Sequence, residues 1–268
     1  LLALPCVSLR FNLSHRIISG NSIDKSELNE AFHLSPTLFA LADGLEGWAL
    51  NGVRPELYAM KTIELIKEFE GLVPEFCEDL STALHHADRL NDQPGGATVL
   101  LARLNPEAKT LETLSVGNLM YILFDEEGEG DAGVEALRGG RLRAEYISEP
   151  MLEGPFRPVH LGESGDHPSI ASPRTHSLNR SKLILFASSG VALNMPEKEL
   201  AETVERLWNV GGLRGPSLID NIIEEVYSRS IETTGVTETN EKFYRETNHH
   251  RVGGFKGDLS IFFGRIET

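Results

Sequence analysis

The chain has 268 residues, 40% of them hydrophobic and 24% charged. This is ordinary globular usage; it excludes a disordered or low-complexity polymer and allows a sizeable core. Its formal net charge of -15 repels phosphate backbones and anionic lipid, so direct nucleic-acid binding is not expected and partners with basic surfaces are favoured.

No apolar run reaches the roughly 18 residues of a membrane-spanning helix, so no membrane span is expected. The two cysteines, Cys6 and Cys77, are too few for a disulfide framework or a zinc knuckle and read as small buried hydrophobes in a reducing compartment. The chain begins at Leu1 rather than Met, so a missing targeting segment carries no meaning.

In chain order, the stretch through Ile18 supplies one or two strands. Residues 37–42 (TLFALA) form a short apolar run ending at Asp43 and Gly44, which reads as a buried strand feeding a turn. Pro55 opens a helix with Leu57, Met60, Ile63, Leu65, Ile66 and Phe69 as its stripe, and Gly71 closes it. A second helix runs from Glu75 to Asn91, with Phe76, Leu80, Ala83, Leu84, Ala87 and Leu90 on one face.

Three strands follow, over 97–104, 110–116 and 120–124, punctuated at Asn105–Pro106 and Gly117–Asn118. An acidic, Gly-rich stretch near 125–140 reads as a solvated loop. Residues 154–173 read as an irregular excursion and 182–187 (KLILFA) as a buried strand. Helices over 197–208 and 217–230 and a last strand over 259–266 (LSIFFGRI) complete the chain.

Segregated strands and helices predict an α+β fold, a sheet sandwich with a helix pair on each outer face, in one domain spanning 1–268.

Four segments carry a family resemblance. Residues 41–48 (LADGLEGW) with 51–55 (NGVRP), 95–101 (GGATVLL), 114–119 (LSVGNL) and 183–190 (LILFASSG) stand in this order. Weaker matches are Asn194–Met195–Pro196, Gly154–Pro155–Phe156 and 253–260 (GGFKGDLS). Together they resemble the PPM (type 2C-like) metal-dependent Ser/Thr protein phosphatases, in particular their mitochondrial branch. The resemblance spans roughly Gly20 to Ile266. It implies a four-layer α-β-β-α sandwich with acidic residues at one end. There they would hold two magnesium or manganese ions that activate a water against a phosphoserine or phosphothreonine.

Carried over residue by residue, the resemblance implies a degenerate site. Asp43 matches the bridging Asp, and the Gly44 carbonyl is retained. Ser22 stands at an upstream acid, Asn118 at the Asp of "G-D-S", Ser189 at the Asp of "x-D-G" and Gly257 at the first Asp of "D-D-I-T". Asp258 survives beside the usual ligand position, and Glu46 replaces a turn glycine. Hard divalent ions are held mainly by carboxylates, and without them no bound hydroxide forms near neutral pH.

The expectation is therefore a pseudophosphatase with no catalytic residues and no cofactor, acting as a scaffold or regulatory subunit in a larger assembly. The resemblance implies a mitochondrial address, with a cytoplasmic one as the alternative expectation. Together with it, the acidic surface suits docking onto basic proteins such as those of a ribosome, so a ribosome-associated assembly is one expected setting. The alternative function is an active phosphatase using Mg or Mn on a rebuilt site of Asp43, Gly44 and Asp258, aided by Glu46.

Other motifs read blandly. Ser188 and Ser189 lack a G-x-S-x-G elbow. His85–His86 and His249–His250 lack H-E-x-x-H spacing, and adjacent helical histidines point apart. The acidic run from Asp125 lacks EF-hand spacing. Residues 211–215 (GGLRG) read as a helix connector, and Trp48 and Trp208 as packing residues.

Overall fold

The computed structural model describes residues 9–19, 28–72, 79–127, 140–154, 157–171, 173–232, 255 and 257–267. Its strands are β1 (Arg10–Ile18), β2 (Glu30–Leu34), β3 (Leu38–Gly44), β4 (Gly96–Asn105), β5 (Thr110–Val116), β6 (Met120–Glu127) and β7 (Arg141–Ile147). The short β8 (Leu152–Gly154), β9 (Arg157–Pro158), β10 (Leu161–Gly162) and β11 (Arg174–Ser177) follow, then β12 (Lys182–Ala187) and β13 (Leu259–Glu267). The helices are α1 (Pro55–Leu72), α2 (Leu80–Leu90), α3 (Ser189–Asn194), α4 (Glu197–Asn209) and α5 (Gly215–Ser230).

Among the described residues, two large antiparallel sheets form, and β8 and β9 make a separate two-stranded pair. One large sheet runs β1-β13-β12-β6-β7; the other runs β11-β5-β4-β3-β2, with β10 on β4. The side chains of a strand alternate between faces, and here both faces are covered. On β3, Leu38, Ala40 and Ala42 join the core shared with α1 and α2, whereas Phe39 and Leu41 enter the layer between the sheets. On β12, Leu183, Leu185 and Ala187 pack with α4 and α5, whereas Ile184 and Phe186 face the other sheet. Burial on both faces is why these strands read as unbroken apolar runs rather than alternating ones. Phe39 and Phe186 stack across the middle at 4.0 Å. The result is the expected α-β-β-α sandwich.

Several expectations change in detail. In α1 the buried stripe is Tyr58, Ala59, Thr62, Ile63, Leu65, Ile66 and Phe69, while Met60 is exposed. The helix is rotated so that Tyr58 hydroxyl can reach Asp88. The described part of α2 starts at Leu80, where Asp79 caps the Ser81 N–H at 2.9 Å, and Leu90 at its end is exposed; Glu75, Phe76 and Cys77 lie outside the described residues, as does Cys6.

The acidic stretch is not loop from its start. Asp125 to Glu127 continue β6 and pair with Arg143, Leu142 and Arg141 of β7, so opposite charges line an edge pair. Residues 128–139 lie outside the described residues. Strands β2, β7 and β11 and helix α3 were not expected. The first three are edge-region strands rich in polar residues, and α3 has only six residues. Residues 211–215 do connect α4 to α5, and Arg214 stacks 3.8 Å from the Trp208 ring.

Candidate functional site

The register brings the C-terminal end of β3 and the first residues of β2 and β4 to one end of their sheet, since Glu30 faces Asp43 and Asp43 faces Thr98. In the other sheet, Ala187 faces both Met120 and Ile261. The turn carrying Asn118, the start of α3 and the entry to β13 therefore meet at the same end.

Among the described residues, hydrogen bonds from side chains and backbone stitch the sheets together there. Ser189 hydroxyl donates to the Asp43 carboxylate. Ser260 hydroxyl donates to Glu30. The Asn29 N–H donates to Asp258 Oδ2 at 2.6 Å.

Glycines permit this closeness. A Cβ on Gly190 would stand 2.1 Å from the Asp258 carbonyl oxygen, and one on Gly44 would stand 2.3 Å from that of Pro55. Asn194 fixes the approach to β13. Its amide nitrogen donates to the Gly190 and Phe255 carbonyls, and its oxygen accepts from the Phe255 N–H, each at 2.8 Å.

Beside this junction lies a cleft of about 520 Å³, within the range of ligand sites. Asp43, Gly44, Glu46, Asn118, Ser189, Gly257 and Asp258 all line it. The structure thus gathers every expected site residue except Ser22, which lies outside the described residues, as do His249 and His250. His85 is half-buried beside His167, with rings 4.8 Å apart, away from the cleft.

The sequence reading missed Glu30. It is a buried carboxylate one strand away from Asp43, and its Oε1 has no hydrogen-bond partner. The available signal was an acid opening a polar strand just before the run that ends in Asp43. Glu30 thus joins Asp43 and Asp258, already placed together from sequence, as a third buried acid.

Burial sets the electrostatics. Desolvation lifts the Asp43 carboxyl from 3.8 to about 7; the Ser189 hydroxyl and N–H oppose this, while Asp258 and Glu46 add to it. Desolvation, followed by the charge of Asp43, raises Glu30 well above the usual carboxylate range against hydrogen bonds from Ser260 and Ser188. Among the described residues, the ion pairs of 4.0 Å or less do not include Glu30 or Asp43.

Among the described residues, this donor set does not fit a pair of divalent ions. Asn118 and Ser189 are neutral, and Gly257 has no side chain. Asp43 is engaged by Ser189, Asp258 by a backbone N–H, and Glu30 is not on the cleft wall. Among the described residues, no group of three or more His, Cys, Asp or Glu side chains is arranged to hold a metal.

No family model matches the sequence. Similar curated proteins do exist. The chain is 28% identical to the probable protein phosphatase 2C 71 of Oryza sativa subsp. japonica, over 63% of this chain and 33% of that protein. It is 24% identical to the protein phosphatase PTC7 homolog of Danio rerio, over 67% of this chain and 60% of that protein. The chain thus spans between a third and three fifths of these relatives.

Among solved structures, the photosystem II phosphatase PBCP superposes with a TM-score of 0.73 at 18% identity, covering 94% of this chain and 97% of that one. The catalytic domain of the serine/threonine phosphatase PstP, solved with two manganese ions, superposes with a TM-score of 0.52 at 13% identity, covering 95% and 97%.

Proposed function

From a fold of the PPM phosphatase type, with curated relatives named as 2C-type and PTC7 phosphatases, we propose that this chain is a pseudophosphatase that works by binding rather than by phosphoryl transfer. The observation that carries this reading is the Ser189 hydroxyl on the Asp43 carboxylate. A neutral donor stands where the resemblance requires a metal-binding acid, and it occupies the one acid retained in place. Asn118 and Gly257 remove two more charges from the same cleft. Two doubly charged ions in a site with so few free carboxylates would not recover their lost hydration.

The role is that of a scaffold or regulatory subunit. The net charge of -15 suits partners with basic surfaces, and a mitochondrial assembly, ribosome-associated or otherwise, fits both this charge and the resemblance. The test is purified protein with millimolar Mn²⁺ on p-nitrophenyl phosphate and phosphoserine peptides. The expected result is no metal-dependent turnover; turnover abolished by Asp43→Ala overturns the proposal.

A second reading has its own support. Glu30, Asp43 and Asp258 are three buried acids at one end of the sandwich, and the solved phosphatase with two manganese ions shares the fold. An active Mg- or Mn-dependent phosphatase would recruit these acids by displacing Ser189 from Asp43. Its signature is the same turnover together with a metal-dependent rise in melting temperature.

A further inference from the structure

We propose that the cleft at the end of the sandwich is the docking site for a partner's basic side chain, an arginine or lysine flanked by apolar residues. This rests on the binding reading above and names where the partner engages.

The cleft floor is rich in acceptors. Asp43 and Asp258 are buried carboxylates on it, each already accepting from Ser189 or Asn29 but with lone pairs left for one more donor group, and Glu46 and Glu197 add charge on its walls. Arg157, the arginine lining it, is 3.0 Å from Glu153. A second, independent feature points to a missing donor. Asn118 lines the same cleft, is 8% exposed, and its side-chain oxygen has no hydrogen-bond partner. A buried polar atom left so costs roughly 1–3 kcal/mol unless a partner arrives. A guanidinium or ammonium group carries only donors, so it answers both the carboxylates and the orphaned amide oxygen.

The walls fit the rest of such a segment. Leu45, Leu152, Leu193, Pro196 and Phe255 give the cleft an apolar surround. Leu50, on the turn from Glu46 to Asn51 beside it, is 92% exposed. Apolar walls lower the local dielectric, which strengthens attraction to the floor. Among the described residues, the influences that set the raised Asp43 carboxyl are burial, Ser189, Asp258 and Glu46, with no cation among them.

The experiment titrates the whole chain against a fluorescein-labelled peptide with one arginine between two leucines, and against the same peptide carrying citrulline, which is neutral and nearly isosteric. The arginine peptide is expected to bind at least about tenfold more tightly, and Asp43→Asn to remove about tenfold of that affinity. If Asp43→Asn does not fold, the Glu46→Gln/Glu197→Gln pair on the walls replaces it, with a loss of about threefold expected.

Equal binding of the two peptides overturns the proposal. So does affinity untouched by folded variants, preferential capture of a phosphoserine peptide, or no binding at about 1 mM peptide. These failures leave the pseudophosphatase reading standing, since that reading fails only on metal-dependent turnover.

Discussion

Ser189 donates its hydroxyl to Asp43 across a sequence separation of 146 residues, joining the start of α3 to the end of β3. The bond ties the two sheets together at the cleft and supplies the buried carboxylate with a neutral partner. Removing the donor with Ser189→Ala should cost about 1–3 kcal/mol at pH 8, where Asp43 is more ionised, and less at pH 5. Urea denaturation at both pH values checks this. A loss that is equal at the two values would separate the bond from the charge of Asp43.

Asp43 also sets a pH dependence. Its carboxyl is raised from 3.8 to about 7, chiefly by desolvation. The folded state therefore binds this proton more tightly than the unfolded chain. The resulting stabilisation is complete below about pH 4 and is lost as pH rises through about 7. Glu30 is shifted in the same direction. Wild-type Tm should fall relative to Asp43→Asn between pH 5 and pH 8; parallel Tm profiles for the two proteins would contradict the assignment.

Metal binding gives a third outcome. Mn²⁺ at about 1 mM should leave the wild-type Tm unchanged. Asn118→Asp, Ser189→Asp and Gly257→Asp combined should make it metal-sensitive, since a site filled at 100 times its Kd stabilises by about 2.7 kcal/mol. Differential scanning fluorimetry with and without EDTA distinguishes the cases, and a metal-dependent rise in the wild type favours the active-phosphatase reading.

Gly190 marks where α3 and the entry to β13 touch. A Cβ there meets the Asp258 carbonyl oxygen at 2.1 Å, a backbone atom that cannot swing aside. Gly190→Ala should destabilise by roughly 1–3 kcal/mol. A change under about 0.5 kcal/mol, the range of neutral surface substitutions, would show that the contact is loose.

Phe39 tests the central layer. It is fully buried, stacked on Phe186 and edge-on to Phe262 at 4.9 Å. Phe39→Ala should cost about 3–5 kcal/mol by lost transfer energy and cavity formation, read as a lower urea midpoint with an unchanged slope.

The sequence by itself determined the sandwich and its layers. The runs ending at Ala42 and Ala187 are apolar on both faces, so they had to lie between a helix layer and a second sheet. Pro55 marked the start of α1, and Pro216 sits in the first turn of α5, which begins at Gly215 rather than 217; Gly71 does not close α1, which runs on to Leu72. Motif order also placed Asp43, Asn118, Ser189 and Asp258 in one site, and the structure does gather them.

Polar edge strands such as β7 and β11 were hidden because pairing with a neighbour, rather than an apolar pattern, makes them strands. Tertiary structure alone added Glu30 and the Ser189–Asp43 bond to that end of the sandwich. Glu30 became part of it through the β2–β3 register, and Ser189 reached Asp43 only when the two sheets packed. Both depend on distances between segments far apart in the chain. Local propensity and periodicity carry no information about such distances, whereas burial at the junction of the sheets raises the carboxyls of Asp43 and Glu30.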